Sequence, residues 1–189
     1  ERTLTPWTTS FKRRLPWLCV NLLTACLAGA VVGVYGVTIE KFVILAVFLP
    51  IIASQGGNAG MQTVTVIVRD MALGELSPGD GRKALFKELL LGLLIGTIIG
   101  LIVGVVGYLI APEFGIPVDI SWILGLVVGT AMVLNLLAAA LFGVLIPFAL
   151  KFFRLDPALG SSILITTVTD VAGFFFLLAL AKWILVSEA

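Results

Sequence analysis

The sequence predicts an all-α integral membrane protein with five transmembrane helices per chain, on three observations. Of its 189 residues, 60% are AVILMFWYC, and the mean hydropathy is +1.17. Only 12% are charged, about half the share of a typical globular domain, so polar surface is too scarce to cover a water-exposed sphere. The charges are also clustered. They leave uncharged runs at 15–39, 42–68, 89–112 and 120–150, and a run at 157–181 whose single charge is Asp170. Roughly 20 apolar residues cross a bilayer core, so each run is long enough to span it.

Taken in order, residues 1–14 read as a cytoplasmic lead-in and 15–189 as one five-helix domain, with spans near 15–39, 42–68, 89–112, 120–150 and 157–183. The first run is too long for a signal-peptide core and lacks a small-residue cleavage site, so it reads as a retained helix. Within it, Cys19 and Cys26 lie two turns apart and read as small hydrophobes in packing contact. Residues 69–88 mix Leu73, Leu76, Leu85 and Phe86 with charges and read as an interfacial connection, with a short amphipathic helix from about Asp80. The third span carries Gly92, Gly96, Gly100 and Gly104, a four-residue repeat that lays bare backbone along one face. Gly29 and Gly33 repeat the pattern on the first span, and Gly125 and Gly129 on the fourth. Such stripes admit a second helix at close range, in this chain or in another copy.

Basic residues fix the expected orientation. Lys12, Arg13 and Arg14 precede the first span, Arg69, Arg82, Lys83 and Lys87 fill the second connection, and Lys151 and Arg154 the fourth. The opposite side holds only Lys41 and Lys182. The amino terminus is therefore expected in the cytoplasm and the carboxyl terminus outside. Trp7 and Trp17 then fall near the inner interface, and Trp122 and Trp183 near the outer one.

Composition also excludes. The chain has no His and two Cys, which removes zinc and other borderline or soft metals, and with them a zinc peptidase or a His-based transferase. A net charge of +1 gives no electrostatic case for a nucleic-acid partner. An intramembrane aspartyl protease needs paired acids, and only one acid lies within a span. The chain therefore reads as not an enzyme.

That acid is the most informative residue. Asp170 lies one position from the midpoint of its run, where a carboxylate costs at least a few kcal/mol to place. No Lys, Arg or His shares its depth, which leaves water, a bound cation or protonation to accommodate it. Ser162, Thr166, Thr169, Asp170 and Gly173 fall on one side of an ideal helix, and this polar stripe reads as the wall of an aqueous path. On the second span, Ser54, Asn58, Gln62 and Thr65 share a face. There, Pro50 and the glycines of Gly56-Gly57-Asn58-Ala59-Gly60 are expected to interrupt the helix and free carbonyls toward water. Asn135, at the middle of the fourth span, suits an interhelical hydrogen bond as well as it suits a pore role. Together these groups form an oxygen-only donor set that selects hard cations such as Mg²⁺, Ca²⁺ and Mn²⁺. One carboxylate is too few to strip Mg²⁺ of its waters, so a hydrated ion is expected. A two-fold dimer would bring two Asp170 side chains around one axis for a divalent ion to neutralise.

Pro50, the Gly56-Gly57-Asn58-Ala59-Gly60 run with Gln62, Leu155-Asp156-Pro157-Ala158 and Thr167-Val168-Thr169-Asp170-Val171-Ala172-Gly173-Phe174 resemble the membrane domain of the MgtE family of magnesium channels. The resemblance covers residues 15–187. It implies a homodimer in the cell (inner) membrane, its central pore lined by the second and fifth helices, with Mg²⁺ as the permeant ion. It implies metal contacts at Asp170 and at main-chain oxygens of Thr166, Gly57 and Gly60. The remaining stripe residues, Ser54, Asn58, Gln62, Ser162, Thr169 and Gly173, are then expected to line the pore. Family members usually carry a cytosolic amino-terminal domain and a CBS pair ahead of this part; residues 1–189 correspond to the pore part. An inside-negative potential supplies roughly 2.3 kcal/mol per charge per 100 mV, so passive, voltage-driven uptake suffices. The alternative is a proton- or sodium-coupled divalent cation transporter that uses Asp170 as its relay.

Overall fold

A computed structural model describes residues 6–75 and 80–185. Every regular element among them is helical. α1 runs Trp7–Val34, α2 is the short Gly36–Lys41, and α3 runs Leu45–Leu73. α4 runs Asp80–Ile110 and passes through a 3₁₀ turn, Ala111–Phe114, toward α5, Val118–Phe152. α6, Pro157–Leu180, ends in a π-helical turn, Ala181–Leu185.

Among the described residues, four helical stretches are long and apolar enough to cross a membrane: Trp7–Val34, Asp80–Phe114, Val118–Phe152 and Gly160–Leu185. α3 is 29 residues long but falls short on apolarity, because Ser54, Gln55, Asn58 and Gln62 occupy its middle. Its ends are well marked. Gly74 adopts φ +71°, a left-handed conformation that glycine enters without strain, and Glu75 N–H closes onto the Asp70 carbonyl at 3.0 Å.

Two expectations are corrected here. α3 is unbroken through Gly56-Gly57-Asn58-Ala59-Gly60. In hydrocarbon each unpaired backbone group costs several kcal/mol, more than the roughly 1 kcal/mol a helical glycine loses against alanine, so the ladder holds. Pro50 lies near the helix start, where its missing N–H affects only the Ala46 carbonyl. The expected amphipathic helix from Asp80 is likewise not separate, since it forms the first turns of α4; residues 76–79 of that connection lie outside the described residues.

α5 is the central helix and packs against α3, α4 and α6, while α1 leans on α6. A hydroxyl contact ties the latter pair, with Thr167 Oγ1 2.8 Å from Thr24 Oγ1. Cys19 and Cys26 are exposed on the outer face of α1. One apolar cluster gathers Phe48, Ile52, Leu124, Met132 and Leu177, and a smaller one gathers Val64, Ile146, Leu150 and Ile165. Along α3 and α6 the stretch between these clusters is small and polar, with Gly56, Gly60, Thr169 and Gly173 buried there.

The α4 glycine stripe meets α5 of the same chain. A Cβ on Gly100 would stand 2.7 Å from the Gly129 carbonyl oxygen, and one on Gly104 2.8 Å from that of Gly125. Gly29 and Gly33 have nothing within 4 Å. Gly100→Ala is therefore expected to cost about 1–3 kcal/mol through overpacking against backbone. Thermal melts of the detergent-solubilised protein should drop by several degrees for Gly100→Ala and hold or rise slightly for Gly29→Ala.

Candidate cation site

Asp170 sits on α6, half-buried, where α6 passes α3. Among the described residues its carboxylate forms no ion pair and accepts no hydrogen bond. It lines a concavity of about 240 Å³ together with Ala53, Ser54, Gly57, Asn58, Met61 and Thr166. The periodicity of the helices produces this meeting. Positions 54, 57, 58 and 61 share one side of α3, and 166 and 170 stand one turn apart on α6. Gly57 is what lets the wall be thin, since a Cβ there would touch only Thr166 Cγ2 and Thr169 Oγ1, each at 3.8 Å.

The donors are one carboxylate, the Asn58 amide, and the Ser54 and Thr166 hydroxyls. Thr166 Oγ1 donates to the Ser162 and Ile163 carbonyls, both at 3.0 Å, which leaves the hydroxyl oxygen's lone pairs available to a cation. Among the described residues no three Asp, Glu, His or Cys side chains converge. A single charge among neutral oxygens can hold a hard cation through its water shell, whereas a dehydrated Mg²⁺ needs more.

Not every expected residue reaches this place. Gly60 is buried on the far side of α3, where a Cβ would collide with Ile165 Cγ1 and stand 3.6 Å from Ala139 Cβ. Because α3 is unbroken, the carbonyls of Gly57 and Gly60 belong to the helical ladder and are not freed by a break. The Thr166 carbonyl takes a second contact from Thr169 Oγ1 at 3.1 Å. Thr169 and Gly173 turn inward. Thr169 is fully buried, and a Cβ on Gly173 would stand 2.8 Å from Asn135 Nδ2. Ser162 is half-buried one turn before Thr166 and does not line the concavity.

Gln62 lines a different cavity of about 220 Å³ between α3 and α4, beside Thr63, Lys87 and Glu88. Glu88 is the polar residue that the sequence reading missed. It is buried, accepts a hydrogen bond from Thr63 Oγ1 at 2.8 Å, and pairs with Lys87 Nζ at 3.1 Å. A signal existed, for Glu88 stands four residues before Gly92 and continues the glycine stripe by one turn.

Asn135 takes the interhelical role. Its Nδ2 donates to the Ile52 carbonyl at 2.8 Å, while its buried Oδ1 has no partner among the described residues. An unpaired buried amide oxygen costs about 1–3 kcal/mol. A larger groove of about 580 Å³ between α4 and α5 holds Gly100, Gly104, Gly125, Gly129, Tyr108 and Trp122. It contains no acid, and its apolar lining matches lipid.

A bundle of helices long and apolar enough to cross a bilayer, with one acid facing neutral oxygens in an open concavity, marks an integral membrane protein with an oxygen-lined candidate site. A family model described as a divalent cation transporter matches residues 49–180. The chain belongs to the MgtE family. It is 34% identical over 172 residues to the magnesium transporter MgtE of Thermus thermophilus, a match covering 91% of this chain and 36% of that protein. The Bacillus subtilis magnesium transporter MgtE is 28% identical over 173 residues, 89% of this chain and 36% of that protein. That of Enterococcus faecalis is 32% identical over 159 residues, 84% and 33% respectively. The chain thus spans about a third of the length of these curated relatives.

Proposed function

We propose that this chain is the conducting part of a magnesium transporter, in which two copies enclose a pore between their α3 and α6 helices and pass hydrated Mg²⁺ down its electrochemical gradient. The observation that carries this reading is a wet face on an otherwise oily surface. Ser54, Asn58 and Thr65 form an exposed stripe along α3, and Asp170 stands beside it. The outward faces of α1 and α4 are instead aliphatic, with Leu22, Leu23, Leu27, Ile98, Leu101 and Val105 exposed. Lipid would reject a polar stripe, and a facing copy with water between the two satisfies it.

Five spans follow, because α3 crosses with one face against α5 and α6 and the other toward water. The basic connections put the amino terminus in the cytoplasm. Asp170 draws the cation, and the Ser54, Asn58 and Thr166 oxygens hold its waters. Two copies bring two carboxylates, which matches the charge of one divalent ion. That the relatives are magnesium transporters supports magnesium as the cargo.

Flux through proteoliposomes tests the mechanism. Mg²⁺ uptake is expected to persist with proton and sodium gradients collapsed, and to rise severalfold under a potassium-valinomycin potential negative inside. Uptake that stops when either gradient is removed would replace the channel with a coupled carrier.

A further inference from the structure

We propose that Asn135 of α5 is a positioning residue for cation passage: its amide sets the separation of α3 and α6, and through it the fit of Gly57 and Asp170 around the ion. The inference rests on the reading of the Asp170 concavity as the cation path.

Asn135 is fully buried at the junction of three helices. Its Nδ2 donates to the Ile52 carbonyl of α3 at 2.8 Å. The reverse amide orientation would set Oδ1 against that carbonyl, acceptor facing acceptor, so the donor side is the one fixed. Both pore helices are shaved to backbone where they meet this side chain. A Cβ on Gly56 would collide with Asn135 Nδ2, and one on Gly173 would stand 2.8 Å from the same atom. Gly56 also abuts Thr169, whose Cβ lies 3.1 Å from where a Gly56 Cβ would be.

Sequence adjacency carries this packing to the site. Gly56 precedes Gly57, and Thr169 precedes Asp170. A shift of either helix against the amide therefore moves a wall of the concavity, because packed helices transmit displacement instead of absorbing it. Filling space does not account for the residue. A leucine branches at the same carbon and would bury no unpaired oxygen, whereas Asn135 leaves Oδ1 without a partner among the described residues. What leucine cannot supply is the donor that ties α5 to the Ile52 carbonyl.

The test uses the full chain in detergent and liposomes. Asn135→Leu is expected to stay folded, to weaken Mg²⁺ binding by about tenfold in calorimetric titration, and to shift the ratio of Mg²⁺ to Mn²⁺ flux. A residue that only packs would alter the melt and leave affinity and flux ratio alone; that result overturns the inference. A second variant keeps the donor. Gly56→Ala crowds the amide and pushes α3 away from it, so it should weaken Mg²⁺ binding and shift the same flux ratio. Parent affinity and flux ratio in a folded Gly56→Ala variant would also overturn the inference. Asp170→Asn, run alongside, separates the two readings. If it transports like the parent, the cation path is wrong and this inference falls with it. If it is inactive while Asn135→Leu is normal, only the role of Asn135 falls.

Discussion

Asp170→Asn is expected to weaken Mg²⁺ binding by about two orders of magnitude or more and to abolish flux while the chain stays folded. The change keeps the side-chain shape and removes the charge. At an effective dielectric of about 20, a carboxylate a few ångströms from a divalent ion contributes several kcal/mol, and each 1.4 kcal/mol is tenfold in affinity. The neutral oxygens of Ser54, Asn58 and Thr166 around the concavity cannot replace that term. Folding should survive because no ion pair or hydrogen bond among the described residues depends on the carboxylate, and a neutral amide is cheaper to hold in a membrane. Calorimetric titration and liposome uptake read the loss, and a melt confirms the fold. Uptake at the parent rate would end the proposal.

Gly57→Leu is expected to block the same site by volume. Its Cβ would meet Thr166 Cγ2 and Thr169 Oγ1 at ordinary contact distance, 3.8 Å, so the backbone has no reason to move. The rest of the side chain then enters the 240 Å³ concavity where the hydrated ion would sit. Binding should fall at least about tenfold, with stability changed by no more than about 1 kcal/mol. Gly60→Leu is the contrast, because its Cβ collides with Ile165 Cγ1 in the buried seam and should cost the fold itself. Normal Mg²⁺ affinity in Gly57→Leu would place the ion elsewhere.

Much of the candidate site was legible along the chain. Asp170, Thr166, Gly57, Ser54 and Asn58 were all singled out, and the structure brings them together. Which edge of each stripe faces the concavity is not written in the spacing. Thr169 and Asp170 are neighbours about 100° apart on one helix, and one is buried while the other opens outward. Gln62 shares a nominal face with Asn58, yet it lines the cavity at Glu88. Polar residues within 100° of one another look equivalent in a periodicity argument, and only the rotation of the helix in its packing separates them. The expected break in α3 failed for a related reason. Gly56 and Gly60 read as breakers in isolation, but they are the places where Asn135 and Ile165 press against backbone.

By itself the sequence determined the membrane class, the helical character of the long apolar runs, the lone acid near mid-span and the glycine faces. These follow from the solvent acting on each residue in turn: hydrocarbon rejects charge and unpaired backbone wherever they occur, so hydropathy and spacing are enough. The tertiary structure decided which oxygens gather at Asp170, that the α4 glycines close onto α5 of the same chain, that Glu88 is held by Thr63, and that Asn135 stands between the two helices of the proposed pore. Those outcomes depend on helix rotation and on approach distances of a few ångströms. Such quantities are set when several faces pack at once, and no single stretch of sequence specifies them.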